Sequence, residues 1–436
     1  MTVQRLNAAH VLTQDTARRW LTPGSVEIAD GRVAAVGTPD ELGPPADTTE
    51  VVDLPGVLLP GFVDTHAHTP MVLLRGAGEG LPVDRWLTEV MWPREARLTP
   101  EDIGWGMRLG GAQLLAGGIT TSVEMYFAPD AMADAAREVG LRTMIAPPLL
   151  VSEELEATIG SWEQQLERIV AFAAANRDDE LVDGVIGPHA AYSVPEVPLR
   201  EAGRLAAAED LLLHLHVAEG EHEGDAIRAE HGMSVPRWLE HLGVLEARVL
   251  AAHGVWLDTD DIAVFAAHGT AVAHCPCSNG KHASGLAPVT ELRRAGVAVG
   301  IATDGPASHD RLDLFAEMRA AIHLARLRER DAAVMGPEDA LAMVTSEAAR
   351  ALGRDDVGAI EVGRRADLQH VAIDGLGPVV EPGDLLTHLV WSGSPDLVHD
   401  VWVQGRRVVE GGAVVTVDVV RATAEVTERA RRIAQA

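Results

Sequence analysis

Leu59-Pro60-Gly61-Phe62-Val63-Asp64-Thr65-His66-Ala67-His68 is the stretch on which the reading of this chain turns. An apolar run that reads as a strand ends in a His-x-His pair. Successive side chains of a strand point to opposite faces, so residues two apart share one. Both imidazoles therefore leave the same face at the C-terminal end of the strand. That placement suits two ligands of one metal ion.

Downstream, apolar runs alternate with amphipathic segments to about residue 352. Strands are expected at 120–125, 142–146, 184–187, 211–217, 248–253, 271–275 and 297–303. Helices are expected at 100–115, 131–139, 161–176 and 198–209. With the strand ending at His66 this makes eight strands with helical connections, which favours a closed (β/α)8 barrel over an open sheet. The two ends of the chain read differently. Residues 26–36 are expected to form a hairpin turning at Asp30-Gly31, and residues 401–409 another turning at Gln404-Gly405. Chain termini often lie close together, so both ends are expected to pair into one small sheet domain. The expected α/β organisation is a distorted (β/α)8 TIM barrel over residues 59–360. A small β-sandwich built from residues 1–58 and 361–436 accompanies it, and a surface helix ends the chain.

Composition narrows the function. The chain has 436 residues and a formal net charge of -29. Such a surface repels phosphate backbones and anionic lipid, which argues against nucleic-acid and membrane partners. No basic leader and no bilayer-length apolar run is read, so a cytoplasmic enzyme with a small-molecule substrate is expected. The two cysteines, Cys275 and Cys277, read as reduced thiols at a strand end. Lys281 is the single lysine.

Barrel enzymes carry their chemistry at the C-terminal ends of the strands. The first strand ends in His66 and His68, the fourth in Gly187-Pro188-His189 and the fifth in His214-Leu215-His216-Val217-Ala218-Glu219. The sixth ends in His253-Gly254 and the eighth in Thr303-Asp304-Gly305. Five such ends in register point to a shared site. Three histidines and a carboxylate suit Zn2+, with Fe2+ or Mn2+ as alternatives. The ligand set is read as His66, His68, His216 and Asp304. His214 shares a strand face with His216 and is its rival.

These motifs resemble the amidohydrolase superfamily over nearly the whole chain. Within it they resemble the 5'-methylthioadenosine/S-adenosylhomocysteine deaminase branch, which is related to guanine deaminases and s-triazine hydrolases. The residues that carry the resemblance are 60–68, Gly187-Pro188-His189-Ala190-Ala191-Tyr192-Ser193, His216-Val217-Ala218-Glu219 and Thr303-Asp304-Gly305-Pro306-Ala307-Ser308. Ala366-Asp367-Leu368 resembles the return of the chain into the family's β-sandwich. Some relatives bridge two metals with a carboxylated lysine ending the fourth strand. Here His189 stands there and Lys281 follows the seventh strand, so one metal ion is expected. The resemblance implies Glu219 as the acid that protonates a ring nitrogen, Asp304 as acceptor of a water proton, and His253 as the group that orients the attacking oxygen; because related barrels commonly form dimers or tetramers, it also implies a homo-oligomer.

Trp86 and Glu95 match branch positions that contact a ribose, and His189 matches one near the sugar or its 5' group. A carboxylate can accept both hydroxyls of a ribose diol. Branch members that take S-adenosylhomocysteine use arginines after the third strand, whereas this chain reads Ala146-Pro147-Pro148-Leu149-Leu150-Val151-Ser152. The implied substrates are therefore 5'-methylthioadenosine, 5'-deoxyadenosine or adenosine. The alternative is a guanine, pterin or s-triazine aminohydrolase, or a chlorohydrolase, on the same fold.

Overall fold

The computed structural model describes residues 3–152, 156, 159–374 and 382–435. Eight parallel strands form the barrel: β1 (Phe62–Ala67), β2 (Ile119–Glu124), β3 (Arg142–Ile145), β4 (Val182–Gly184), β5 (Leu212–Val217), β6 (Arg248–His253), β7 (Ala271–His274) and β8 (Val299–Ile301). They pair as two four-stranded sheets, β1 to β4 and β5 to β8, in chain order. Every residue of β1, β2 and β5 is buried. That is the mark of parallel strands covered on both faces, here by the barrel interior and a ring of helices.

The two half-barrels meet at single bridges, which is where the barrel is distorted. Ala67 bridges Asp304 on one side, and Ile186 bridges Leu213 and Ala190 bridges His216 on the other. The fourth strand departs from its expected span of 184–187. It begins at Val182 and breaks after Gly184. At the break its hydrogen bonds change partner: Val185 N–H donates to the Ile145 carbonyl, and Ile186 N–H to that of Leu212. A short second piece, Gly187–Pro188, pairs with Pro148–Leu149.

Both chain ends build one mixed nine-stranded sheet. Its outer hairpins are the two expected from sequence, Gly24–Ala29 with Arg32–Gly37 and Val398–Val403 with Arg406–Glu410. Asp30, Gly31, Gln404 and Gly405 all have positive φ, as such tight turns require. The sheet curls until these two turns touch. A Cβ on Gly31 would lie 2.7 Å from Gln404 Cγ. Leu6, Val26, Ile28, Leu58, Leu368 and Trp402 fill the small core inside the curl.

The long strand Glu50–Pro60 of this sheet runs straight into β1. Gly61 is the handover point, and its N–H donates to the Asp367 carbonyl. Any Cβ there would lie 2.1 Å from Thr120 Oγ1, so only glycine lets β1 lie against β2 at this height. Asp367 also ties the two parts together through its side chain, with Arg142 Nε at 2.8 Å and Nη2 at 3.1 Å. The terminal helix Val419–Gln435 buries Ala422, Val426 and Ile433, and it packs on the barrel helix Pro100–Ala116. Among the described residues no helix is long and apolar enough to cross a membrane.

Candidate active site

The strand ends bring the sequence-predicted residues to one point. His66 Nε2 lies 3.5 Å and His68 Nε2 3.3 Å from Asp304 Oδ1. His216 Nε2 is 3.4 Å from His68 Nε2. The side-chain nitrogens of His66, His68 and His216 that could hold an ion all lie within 4.8 Å of one another.

Each imidazole is fixed from behind. His68 Nδ1–H donates to the Met125 carbonyl at 2.6 Å, and His216 Nδ1–H to that of His189 at 2.9 Å. His214 Nδ1–H donates to Leu250 O at 2.9 Å, leaving its Nε2 to accept from His66 Nδ1–H at 2.7 Å. Both nitrogens of His214 are thus engaged. His66 and His68 turn Nε2 towards Asp304, and His216 turns its Nε2 towards that of His68. His66 Nε2 is buried and has no hydrogen-bond partner. Burial drives His66 and His216 well below the usual histidine pKa, so both stay neutral, which is the ligating form. This donor set fits a divalent metal ion.

The carboxylate is positioned with equal care. Burial acts to raise the Asp304 carboxyl, but the histidines around it more than offset this and hold it well below the usual range. Ser308 Oγ–H donates to Asp304 Oδ2 at 2.9 Å. Asp64, in the opening motif, is buried behind the site and accepts the Thr303 N–H at 3.0 Å and the Thr303 hydroxyl. It locks β1 to the turn that carries Asp304. Ala218, His253 and Asp304 all have positive φ, 51°, 71° and 55°. Left-handed backbone is costly for residues with a Cβ, and three of the twelve such residues described sit at strand ends around this centre.

His253 Nδ1–H donates to Asn279 Oδ1 at 2.9 Å, and its Nε2 lies 3.7 Å from Glu219 Oε2. Burial pushes the Glu219 carboxyl up, which favours its protonated form. Cys275 lies near His66 and His253. Burial pushes its thiol well above the ordinary range, and it stays a neutral packing group. Lys281 is turned away towards Asp310 and Glu79.

A cleft leads from this centre to the surface. His68, His216, Glu219, His253 and Asp304 form its floor, and Trp86, Glu95 and His189 line its walls. Trp86 and Glu95 come from the segment after β1, where a π-helical turn, Leu87–Met91, separates the helices that carry them. Extra residues of this kind inside a helix often re-aim side chains at a site. Trp86 spends its indole N–H on the Ala77 carbonyl at 3.0 Å, so it offers the cleft a ring face and no hydrogen bond. Burial raises the Glu95 carboxyl, and the neighbouring Tyr126 phenol acts the other way. His189 Nδ1 pairs with Ser193 Oγ at 2.8 Å. Pro148 and Leu150 supply an apolar wall.

Sequence reasoning missed Tyr126, Asn279 and the anchoring roles of Asp64 and Ser308. Tyr126 stands two residues beyond β2 and was findable by reading every strand end for polar groups rather than for His and Asp alone. Asn279 lies in the short helix Pro276–Lys281, and no spacing relates it to His253.

The amidohydrolase family model matches residues 57–408. A 5-methylthioadenosine/S-adenosylhomocysteine deaminase of Pelotomaculum thermopropionicum is 37% identical over 433 residues, covering 98% of each chain. A 5'-deoxyadenosine deaminase of Methanopyrus kandleri is 35% identical, covering 89% of this chain and 90% of its own. An adenosine deaminase from Xanthomonas campestris, solved with bound zinc, superposes with a TM-score of 0.94 at 32% identity, covering 99% of each chain.

Proposed function

The chain belongs to the amidohydrolase family, and from that premise we propose that it is a metal-dependent hydrolytic deaminase of adenine nucleosides. Its substrates are 5'-methylthioadenosine, 5'-deoxyadenosine or adenosine, and its products are the inosine analogue and ammonia. One observation carries the reading. A single cleft has Glu219 and the histidine–aspartate cluster at its floor and a half-buried carboxylate, Glu95, on its wall. The floor suits attack on an aromatic amidine, and the wall suits a ribose diol. The names of the relatives agree with this substrate class.

We assign one Zn2+, with Fe2+ or Mn2+ as alternatives, to His66, His68, His216 and Asp304. A divalent ion bound there would lower the pKa of a water towards neutrality. Asp304, held ionised and pinned by Ser308, takes the proton of the attacking water. His253, fixed by Asn279, orients that water and supports the negative charge that develops on oxygen. Glu219 gives its proton to the ring nitrogen beside the attacked carbon, which makes the carbon electrophilic. The proton needed by departing ammonia passes through Asp304 or Glu219. Pro148 and Leu150 suit a small uncharged 5' group. Both cysteines are unpaired, which fits the reducing cytoplasm we infer as its compartment.

The substrate assignment is tested by comparing adenine nucleosides with free adenine, guanine, pterins and s-triazines in an ammonia-release assay. The nucleosides should turn over at least tenfold more efficiently, and Glu95→Ala should raise their KM at least tenfold. Equal turnover of a free base, unaffected by Glu95→Ala, would replace this reading by a ring-only aminohydrolase.

A further inference from the structure

Glu219 stands two residues beyond β5. Among the described residues no hydrogen bond holds its carboxyl, and its Oε2 lies 3.7 Å from His253 Nε2, beyond hydrogen-bond reach. The aim of this side chain is therefore set by its backbone. The peptide unit that joins Ala218 to Glu219 is held at both ends. Its carbonyl accepts the N–H groups of Val255 and Trp256, both at 3.0 Å, from the loop after β6. Its N–H donates to Glu223 Oε2 at 3.1 Å. Ala218 has φ 51°, a left-handed conformation that is costly for a residue with a Cβ. Relaxing Ala218 towards negative φ rotates this peptide and carries the Glu219 side chain with it. The contacts at its two ends oppose that rotation.

Glu223 is well placed for its end of the clamp. It is the third residue of the helix Glu221–His231, whose N-cap, Gly220, has no side chain to offer. From there it reaches back past Gly220, much as the glutamate of a capping box does. Its residue is 6% exposed, and its second oxygen, Oε1, is buried without a hydrogen-bond partner. Burial pushes its carboxyl up to about 8, against the pull of the Glu219 and Ala218 backbone N–H groups. At neutral pH the protonated form therefore prevails. A neutral carboxyl still accepts through its carbonyl oxygen, and it sets no second negative charge beside Glu219.

We propose that Glu223 is a positioning residue for the reaction: it accepts the Glu219 N–H, clamps the Ala218–Glu219 peptide and so aims the Glu219 carboxyl at the floor of the cleft. The inference deepens the deaminase reading and rests on it for the role of Glu219 as proton donor.

The test compares Glu223→Gln with Glu223→Leu in metal-loaded protein. Gln keeps an acceptor oxygen at the same reach, whereas Leu fills the space and has none. Misplacing a reacting group by about 1 Å can cost about a hundredfold. Glu223→Leu should lower kcat for 5'-methylthioadenosine at least tenfold, with KM within threefold of native and full metal content. Glu223→Gln should stay within threefold of the native kcat. In a Glu219→Gln background the Leu exchange should cost less than threefold, because the group it positions is gone. Should the Leu variant not fold, Glu223→Asp, one methylene too short to reach the N–H, takes its place with the same expectations. Native kcat without the acceptor, an equal loss with Gln, or the full tenfold loss in the Glu219→Gln background overturns the proposal and leaves Glu223 as a helix cap only. Crystal structures give a readout that needs no turnover. The φ of Ala218 and the Glu219–His253 distance should change in Glu223→Leu and hold in Glu223→Gln; an unmoved Glu219 in the Leu variant also overturns the proposal. Failure of the native protein to deaminate the nucleoside would strike the proposed function, while the structures would still decide whether Glu223 holds this peptide.

Discussion

The imidazole of His66 is set by a relay that starts at a backbone carbonyl. Leu250 O holds His214, and His214 holds His66, so one proton position fixes the next. Groups behind a metal ligand typically matter 10–100-fold in affinity or activity. His214→Ala should therefore weaken zinc binding by about that factor, read by competition with a chromophoric chelator; unchanged affinity would remove His214 from the relay. Glu219→Gln should keep full metal content and lower kcat by about 10²–10⁴, the usual range for a positioned general acid. Full activity in that variant would end its proposed role. That His66, His68, His216 and Asp304 meet at one centre was legible because a strand period of two and a barrel's chemistry-bearing end restrict where such residues can sit. The relay was not, since His214 and His216 share a strand face and only the register of β5 against β6 tells them apart.

At the scale of elements, the strands were legible where parallel pairing buries both faces and leaves an unbroken apolar run, as in β1, β2 and β5. The fourth strand was misjudged because its hydrogen bonds pass from β3 to β5 midway, a switch that leaves no periodic trace. The π-helical turn before Glu95 was equally silent. β7 carries a pH-dependent cost. His274 at its end is 2% exposed, and burial lowers its pKa to about 3. An unfolded histidine titrates near 6.5, so the unfolded chain binds a proton that the folded one refuses. Stability contributed by neutral His274 is complete above about pH 6.5 and falls as the pH drops towards 3, by about 1.4 kcal/mol per unit. Urea denaturation of the protein and of His274→Leu from pH 7 to 4 should show the gap between them shifting against the native sequence with acidification. A pH-independent gap would show that His274 takes up a proton as readily in the fold as in the unfolded chain.

At the scale of the molecule, the pairing of both chain ends into one sheet followed from two hairpin signals and the proximity of termini. What the sequence did not show is how the sheet is fastened to the barrel. The Arg142–Asp367 pair does this with both side chains 1% exposed, and its partners lie 225 residues apart. Breaking a buried pair strands the remaining charge, at a cost of about 3–5 kcal/mol. Arg142→Leu should destabilise the protein by that amount in urea, and Arg142→Leu with Asp367→Leu should recover part of the loss; a mild effect of the single variant would mean that water reaches Asp367. The account as a whole rests on what happens to an adenine nucleoside in the cleft. Zinc-loaded protein mixed with 5'-methylthioadenosine, with ammonia and the ultraviolet change from adenine to hypoxanthine followed together, tests it most directly. The account predicts one ammonia per nucleoside converted, at an unchanged 5' group. No conversion by protein carrying its full complement of metal would contradict it.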